Sequence, residues 1–131
     1  ERVVYDGEAD LVVAKIADGE IGVMVDHYPV ISTVDFWDVR ITRGEERRVY
    51  ATSDGFFKVA DNLVQILVEE AVPASEINVE EAEHRIEQAE RELGQLPEEE
   101  DEDSRRAREE ISRRVRLGEN LVRVARRYGG G

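Results

Sequence analysis

The chain of 131 residues contains no cysteine. That excludes disulfide frameworks, thiolate nucleophiles, zinc fingers and iron–sulfur clusters at once. Histidine is nearly absent too. His27 and His84 lie far apart, without the spacing of metal ligands, and His84 sits among Glu81, Glu83 and Glu87 as a solvated helix residue would. No metal site is expected. Apolar runs such as Leu11 to Ala14 and Gly22 to Val25 are of strand length, well short of the ~20 residues a membrane helix needs. No charged-then-apolar leader opens the chain, which starts at Glu1 rather than Met, so residues are expected upstream and the protein is expected to be soluble. Glycine-rich phosphate loops are missing. Asp26 and His27, with Ser32 nearby, are adjacent in sequence and cannot easily align as a catalytic relay. No enzymatic activity of its own is expected.

What the chain has in excess is negative charge. Against 18 basic residues stand 31 acidic ones, for a net charge of −13. A protein this acidic lacks the basic face that displaces counterions from phosphates, which excludes nucleic acid as a primary partner and argues against direct lipid binding. Of the basic residues only Lys15 and Lys58 are lysine, a bias that hints at a GC-rich genome.

The character of the sequence changes near Val72. Before it, alternation in Trp37, Val39 and Ile41, in Val49 and Ala51, and in Phe57 and Val59 reads as strands. The run Leu63 to Val68 reads as one buried strand. Turn residues punctuate these runs at Asp18-Gly19, Arg43-Gly44-Glu45, Ser53-Asp54-Gly55 and Asp61-Asn62. The expected fold is α+β: an N-terminal antiparallel β-sandwich or barrel over residues 1–75, then an antiparallel two-helix hairpin over 76–131. In the first helix, about 79–96, Val79, Ala82, Ile86, Ala89, Leu93 and Leu96 form a narrow seam for one partner helix. Asn78 and Glu81 read as a capping box, and Pro97 closes the helix. The acidic run Glu98 to Asp103 reads as the turn; it lacks the spaced ligands and glycine of a calcium loop. A second helix, about 104–127, is expected to be capped by Ser104 or Asp103.

Charge is polarised along the hairpin. Residues 76–103 carry 13 acidic and 2 basic side chains, whereas 104–131 carry 9 basic and 3 acidic. The seam is therefore expected to hold the arms together and the charges to select their pairing. The second helix has more apolar surface than the first can cover. One stripe is Ile111, Val115, Gly118, Val122 and Ala125; the other is Leu117, Leu121, Val124 and Tyr128. The surplus must meet the β-domain, a partner protein, or each in turn.

Three stretches resemble a known family. Asp18-Gly19-Glu20-Ile21-Gly22-Val23, followed by Asp26-His27-Tyr28-Pro29, is similar to the G-E-x-G-I-L-P-x-H-x-P segment of the epsilon subunit of F-type ATP synthases. Asp54-Gly55-Phe56-Phe57-Lys58-Val59, with Asn62-Leu63-Val64-Gln65-Ile66-Leu67, resembles that family's G-G-F-x-E-V-x-x-N-x-V-x-I-L segment. Tyr5-Asp6-Gly7-Glu8-Ala9 matches its opening turn. The resemblance implies a sandwich of about ten strands with a helical hairpin. It also implies a non-catalytic central-stalk subunit on the cytoplasmic side of the bacterial plasma membrane, linking the gamma subunit to the c-ring of a proton-translocating machine. The hairpin would rise toward the alpha/beta catalytic hexamer to inhibit ATP hydrolysis. Glu20 falls where the family approaches the c-ring and His27 where it approaches gamma; the face Leu117, Leu121, Val124 and Tyr128 would be the hairpin's partner-binding surface. A free-standing adaptor of sandwich plus hairpin is the alternative.

The strand with which the family begins is expected upstream of Glu1, and the chain departs from the family at two further places. Met24-Val25-Asp26-His27 replaces the usual L-P-G-H. Some members bind ATP through I-D-x-x-R-A at the start of the first helix; here Ile77, Asn78, Glu81 and Ala82 occupy that motif, with an amide for the acid and a glutamate for the arginine. A carboxylate repels a phosphate that arginine would grip through two hydrogen bonds, even with Arg123, Arg126 and Arg127 available from the second helix. ATP binding is expected to be weak or absent, and no cofactor is expected.

Overall fold

A computed structural model describes residue 5, residues 7–98 and residues 101–129. Strands come first: β1 (Leu11–Ile16), β2 (Gly19–Val23), β3 (Val30–Val34), β4 (Trp37–Arg43), β5 (Glu46–Thr52), β6 (Gly55–Ala60), β7 (Leu63–Val68) and β8 (Ala71–Pro73). A 3₁₀ turn at Ala74–Glu76 leads into α1 (Val79–Gly94) and α2 (Glu102–Tyr128). All pairings are antiparallel, in the order β7-β6-β3-β1-β4-β5-β8, with β2 paired to β1.

Tight turns set this register. β6 and β7 are joined by Asp61 and Asn62, both with positive φ, 51° and 61°, as a type I′ hairpin turn requires, and after glycine short polar residues tolerate that region best. Gly55 lies so close to β7 that a Cβ there would stand 2.0 Å from the Leu67 carbonyl oxygen, so only glycine fits.

β1 and β3 meet at a single pair, Ile16 with Val34, and the sheet turns a corner there. One layer, β3-β6-β7, thus packs over the other through Val34, Phe57 and Val59 against Val12, Ala14, Val23 and Val39. The opposite face of β4-β5-β8 receives the hairpin. There Ala51 and Ala74 are buried with Ala82 of α1 and Leu121 and Val124 of α2. The order is helices, inner strand layer, outer strand layer.

Several expectations are corrected by the fold. The described residues form eight strands rather than about ten. Asp26 takes a left-handed conformation, φ 63°, and Pro29 lacks an N–H, so the segment between β2 and β3 cannot extend into a ladder. β7 is not a buried strand: it is an edge covered on one face only, with Leu63 and Leu67 exposed. α1 ends at Gly94, because the amides of Gln95 and Leu96 turn back to Glu92 and Leu93 in a tightened last turn before Pro97. α2 is capped by Asp101, whose carboxylate accepts the Ser104 N–H at 2.7 Å; Ser104 and Asp103 already lie inside the helix. Part of the acidic run is therefore helix rather than turn, and Glu99 and Glu100 lie outside the described residues.

Candidate interaction surfaces

The seam between α2 and the sandwich is polar at its centre. Asp38 on β4 is 1 % exposed and faces the helices together with Arg40, on the side of β4 opposite Val39 and Ile41. Its Oδ1 accepts from Arg40 Nη1 at 2.7 Å and its Oδ2 from Arg123 Nη2 at 2.9 Å. Asn120, also buried, donates through Nδ2 to the carbonyls of Trp37 and Thr52 at 2.8 and 3.0 Å, while its Oδ1 accepts from Arg123. Every fully buried side-chain polar atom among the described residues has a partner.

Glu20, on β2, belongs to the same network. Arg40 grips its carboxylate through both Nη atoms at 3.0 and 3.1 Å, and the Trp37 indole donates to it at 3.1 Å. These bonds, the Arg40 pair foremost, hold the Glu20 carboxyl below the ordinary glutamate value, and Arg40 is raised in turn. Two cations lie over the Trp37 ring, Arg123 at 3.5 Å and Lys15 at 4.1 Å from its centre. Tyr128 closes the cluster by accepting from Arg40 and Arg127. The open cleft beside it, about 1100 Å³, is lined by Arg40, Arg47, Arg123, Arg126 and Arg127.

His27 stands elsewhere. Its Nδ1–H donates to the Tyr28 carbonyl at 2.7 Å and its ring stacks on Tyr28. Its loop is tied to the β6–β7 turn, since the Asp26 N–H donates to Asn62 Oδ1 at 2.6 Å and Asn62 Nδ2 returns a bond to Asp26. Beside this tie lies a bare apolar surface. Met24, Val25 and Tyr28 in the loop, Ile31 on β3, Phe56 on β6 and Leu63 and Leu67 on β7 are all more than half exposed, Val25 at 78 % and Ile31 at 77 %. Ile31, Phe56 and Leu67 point away from the core on neighbouring strands, on the layer farthest from the helices. Surfaces of this kind mark association sites.

The two stripes of α2 face different neighbours. Gly118 is pressed against α1 so closely that a Cβ would meet Ile86 Cγ1 at 2.5 Å. Leu121 and Val124, 3 % and 0 % exposed, pack on Ala51 and Ala74, with Leu117 and Tyr128 at the margin. The chain's own sheet covers the proposed partner-binding face here. The charges behave similarly. α2 pairs with α1 through Arg114–Glu92 and Arg126–Glu83, yet it also pairs with the sandwich through Arg113–Asp54, Arg113–Glu69, Arg116–Asp35 and Arg123–Asp38. The basic arm thus selects the acidic sandwich as well as the acidic helix.

At the altered nucleotide motif, Asn78 is already engaged: its side chain caps α1 by accepting the Glu81 N–H at 3.0 Å. Ala82 is buried under α2, Ile77 packs on the helix–sheet core, and Glu81 is exposed.

Residues 1–74, more than half of the chain, match the family described as ATP synthase, Delta/Epsilon chain, beta-sandwich domain. The chain belongs to this family. The ATP synthase epsilon chain of Brevibacillus brevis is 42% identical over 94 residues, covering 71% of this chain and 71% of that one. Among solved structures, a chain of the Euglena gracilis mitochondrial ATP synthase OSCP/F1/c-ring assembly superposes with a TM-score of 0.69 at 23% identity, over 90% of this chain and 71% of its own. A chain of the Tetrahymena thermophila ATP synthase central stalk and c-ring superposes at 0.56 with 13% identity, over 87% and 82%. These two likenesses concern the fold. An epsilon-family sandwich with its hairpin folded against it is therefore the frame for the surfaces above.

The network around Asp38 was not among the sequence candidates. Its signal was the alternation of Asp38 and Arg40 with Val39 and Ile41 on β4, and the single amide Asn120 within an apolar stripe of α2. Glu20 and His27, read together from one motif, are held by separate partners.

Proposed function

We propose that this epsilon-family chain is a non-catalytic central-stalk subunit of a rotary, proton-translocating ATP synthase, on the cytoplasmic face of the bacterial plasma membrane. In this reading the exposed apolar layer around Ile31, Phe56 and Leu67 seats the sandwich on gamma, with His27 at its margin, and Glu20 meets the c-ring. The hairpin, docked on the opposite face, inhibits ATP hydrolysis when it rises toward the alpha/beta hexamer. The observation that carries the reading is this two-sidedness: one sandwich face is left bare and apolar, while the other binds the hairpin through a seam rich in polar contacts. No described helix is long and apolar enough to cross a membrane, which agrees with attachment through partners.

Two measurements test it. Phe56→Glu should abolish recovery of gamma in a pull-down while leaving the melting temperature of the isolated chain nearly unchanged, because Phe56 is 62 % exposed. Truncation after Pro73 should raise ATP hydrolysis by the assembled complex and preserve coupling. Unchanged hydrolysis would remove the inhibitory role; retained gamma binding by the Phe56 variant would remove the assignment of this face. ATP itself should bind weakly or not at all, since Asn78 is committed to the cap and Glu81 stands where arginine is required. Micromolar affinity for MgATP by calorimetry would contradict this.

A further inference from the structure

The hold of α2 on the sandwich passes through a line of alternating charges. It starts at Glu20 on the edge strand β2, runs through Arg40 and Asp38 on β4, and ends on α2 at Arg123; Arg40 reaches α2 a second time through the Tyr128 hydroxyl. The middle of the line is buried and its first member is accessible, with the Glu20 side chain 42 % exposed. Among the described residues Glu20 makes no hydrogen bond or ion pair to α2.

We propose that this line couples occupancy of Glu20 to the docking of the hairpin, so that whatever takes the Glu20 carboxylate loosens α2. The proposal rests on the reading that Glu20 meets a partner and that the hairpin can leave the sandwich. Arg40 is a planar fork that divides its donors among Glu20, Asp38 and Tyr128. Deprived of Glu20, the fork closes with both Nη groups on Asp38, the arrangement that two-pronged guanidinium–carboxylate pairing favours. It then competes with Arg123 for Asp38 and withdraws from Tyr128, weakening both ends on α2. The exchange is feasible because Asp38 stays paired with Arg40 whether α2 is docked or not; undocking leaves no unpaired buried carboxylate, which is what usually makes breaking a buried ion pair prohibitive. The effect is mutual: a docked α2 must disfavour the partner at Glu20 by the same factor.

The absence of native cysteine allows a direct test in the full chain. Val124→Cys places a single thiol in the fully buried seam, and Val59→Cys places one in the sandwich core, so thiol-labelling rates read hairpin opening and global unfolding separately. Glu20→Gln should speed labelling at position 124 about three- to tenfold, with no matching change at position 59. In an Arg123→Gln, Tyr128→Phe background, where both ends of the line are gone, Glu20→Gln should add less than about twofold. Arg127 also attracts Glu20 through space, so the gain must persist in Arg127→Gln. No effect of Glu20→Gln, an independent multiplicative effect, or loss of the effect with Arg127 would each overturn the coupling. Equal labelling at 124 and 59 in every variant would instead show that the hairpin never opens separately, overturning the movable hairpin and the proposal with it. If Arg123→Gln fails to fold by circular dichroism, Arg123→Lys, which keeps charge but not the fork, takes its place.

Discussion

Asp38 and Asn120 do for the helix–sheet seam what a hydrophobic pair could not: they fix α2 at one position along its axis. The amide of Asn120 satisfies two main-chain carbonyls of different strands, so a shift of α2 by one turn leaves both unmet. Replacing Asn120 with Leu should therefore destabilise the chain by about 2–3 kcal/mol in urea titration, despite the gain in hydrophobicity. Glu20 predicts a pH dependence. Its carboxyl is held below the ordinary 4.5 in the folded chain, so its stabilising contribution is complete above that value and is lost as pH falls through the lowered folded value. Melting temperatures of the parent chain and Glu20→Gln should differ by a constant amount above pH 5 or so and converge at lower pH. Little of this was legible in the sequence. The partners of Glu20 lie 17 and 20 residues away, and only the fold brings them together.

At the scale of elements, local chemistry was readable wherever it was self-contained. Asn78 caps α1 by accepting the Glu81 N–H, and the turn signals fell at strand junctions, with Gly19, Arg43 and Gly55 already inside β2, β4 and β6. Where several local signals competed, the reading slipped: Asp101, Asp103 and Ser104 are all good caps, and the choice of Asp101 lengthened α2 beyond its expected start. β7 misled for a different reason, since a strand apolar on both faces implies burial only if both faces are covered. The two stripes of α2 give paired predictions. Leu121→Ala should cost about 2–4 kcal/mol, as expected for a large-to-small change in a tight seam. Gly118→Ala gains helix propensity of about 1 kcal/mol but drives a methyl into Ile86, so it should still be destabilising, by about 1–2 kcal/mol. Removing the clashing Cγ1 with Ile86→Ala in the same chain should recover part of that loss relative to Ile86→Ala alone, measured by thermal melting.

Over the whole molecule, the net charge of −13 conceals an ordered distribution. The acidic sandwich and acidic α1 flank one basic helix, and α2 divides its arginines between them. Most of these pairs are partly exposed, so each contributes little and all are screened together. Raising salt from about 0.05 to about 1 M should open the hairpin more readily than it unfolds the sandwich, visible as faster labelling at a cysteine in position 124 than at one in position 59. The overall architecture, sandwich then hairpin, was legible because periodicity changes sharply near Val72. The bare apolar layer was not, since alternation says which residues share a face but not which face the rest of the chain leaves uncovered.

Trp37 gives the protein an optical reporter of its own. It is the only tryptophan, and the guanidinium that lies on its ring comes from α2. When the helix departs, the indole exchanges a stacked cation for water, so its emission should shift to longer wavelength and its quenching by iodide should rise. The state of the hairpin is thereby written into the native fluorescence of the unlabelled chain, alone or within a larger assembly whose other subunits lack tryptophan.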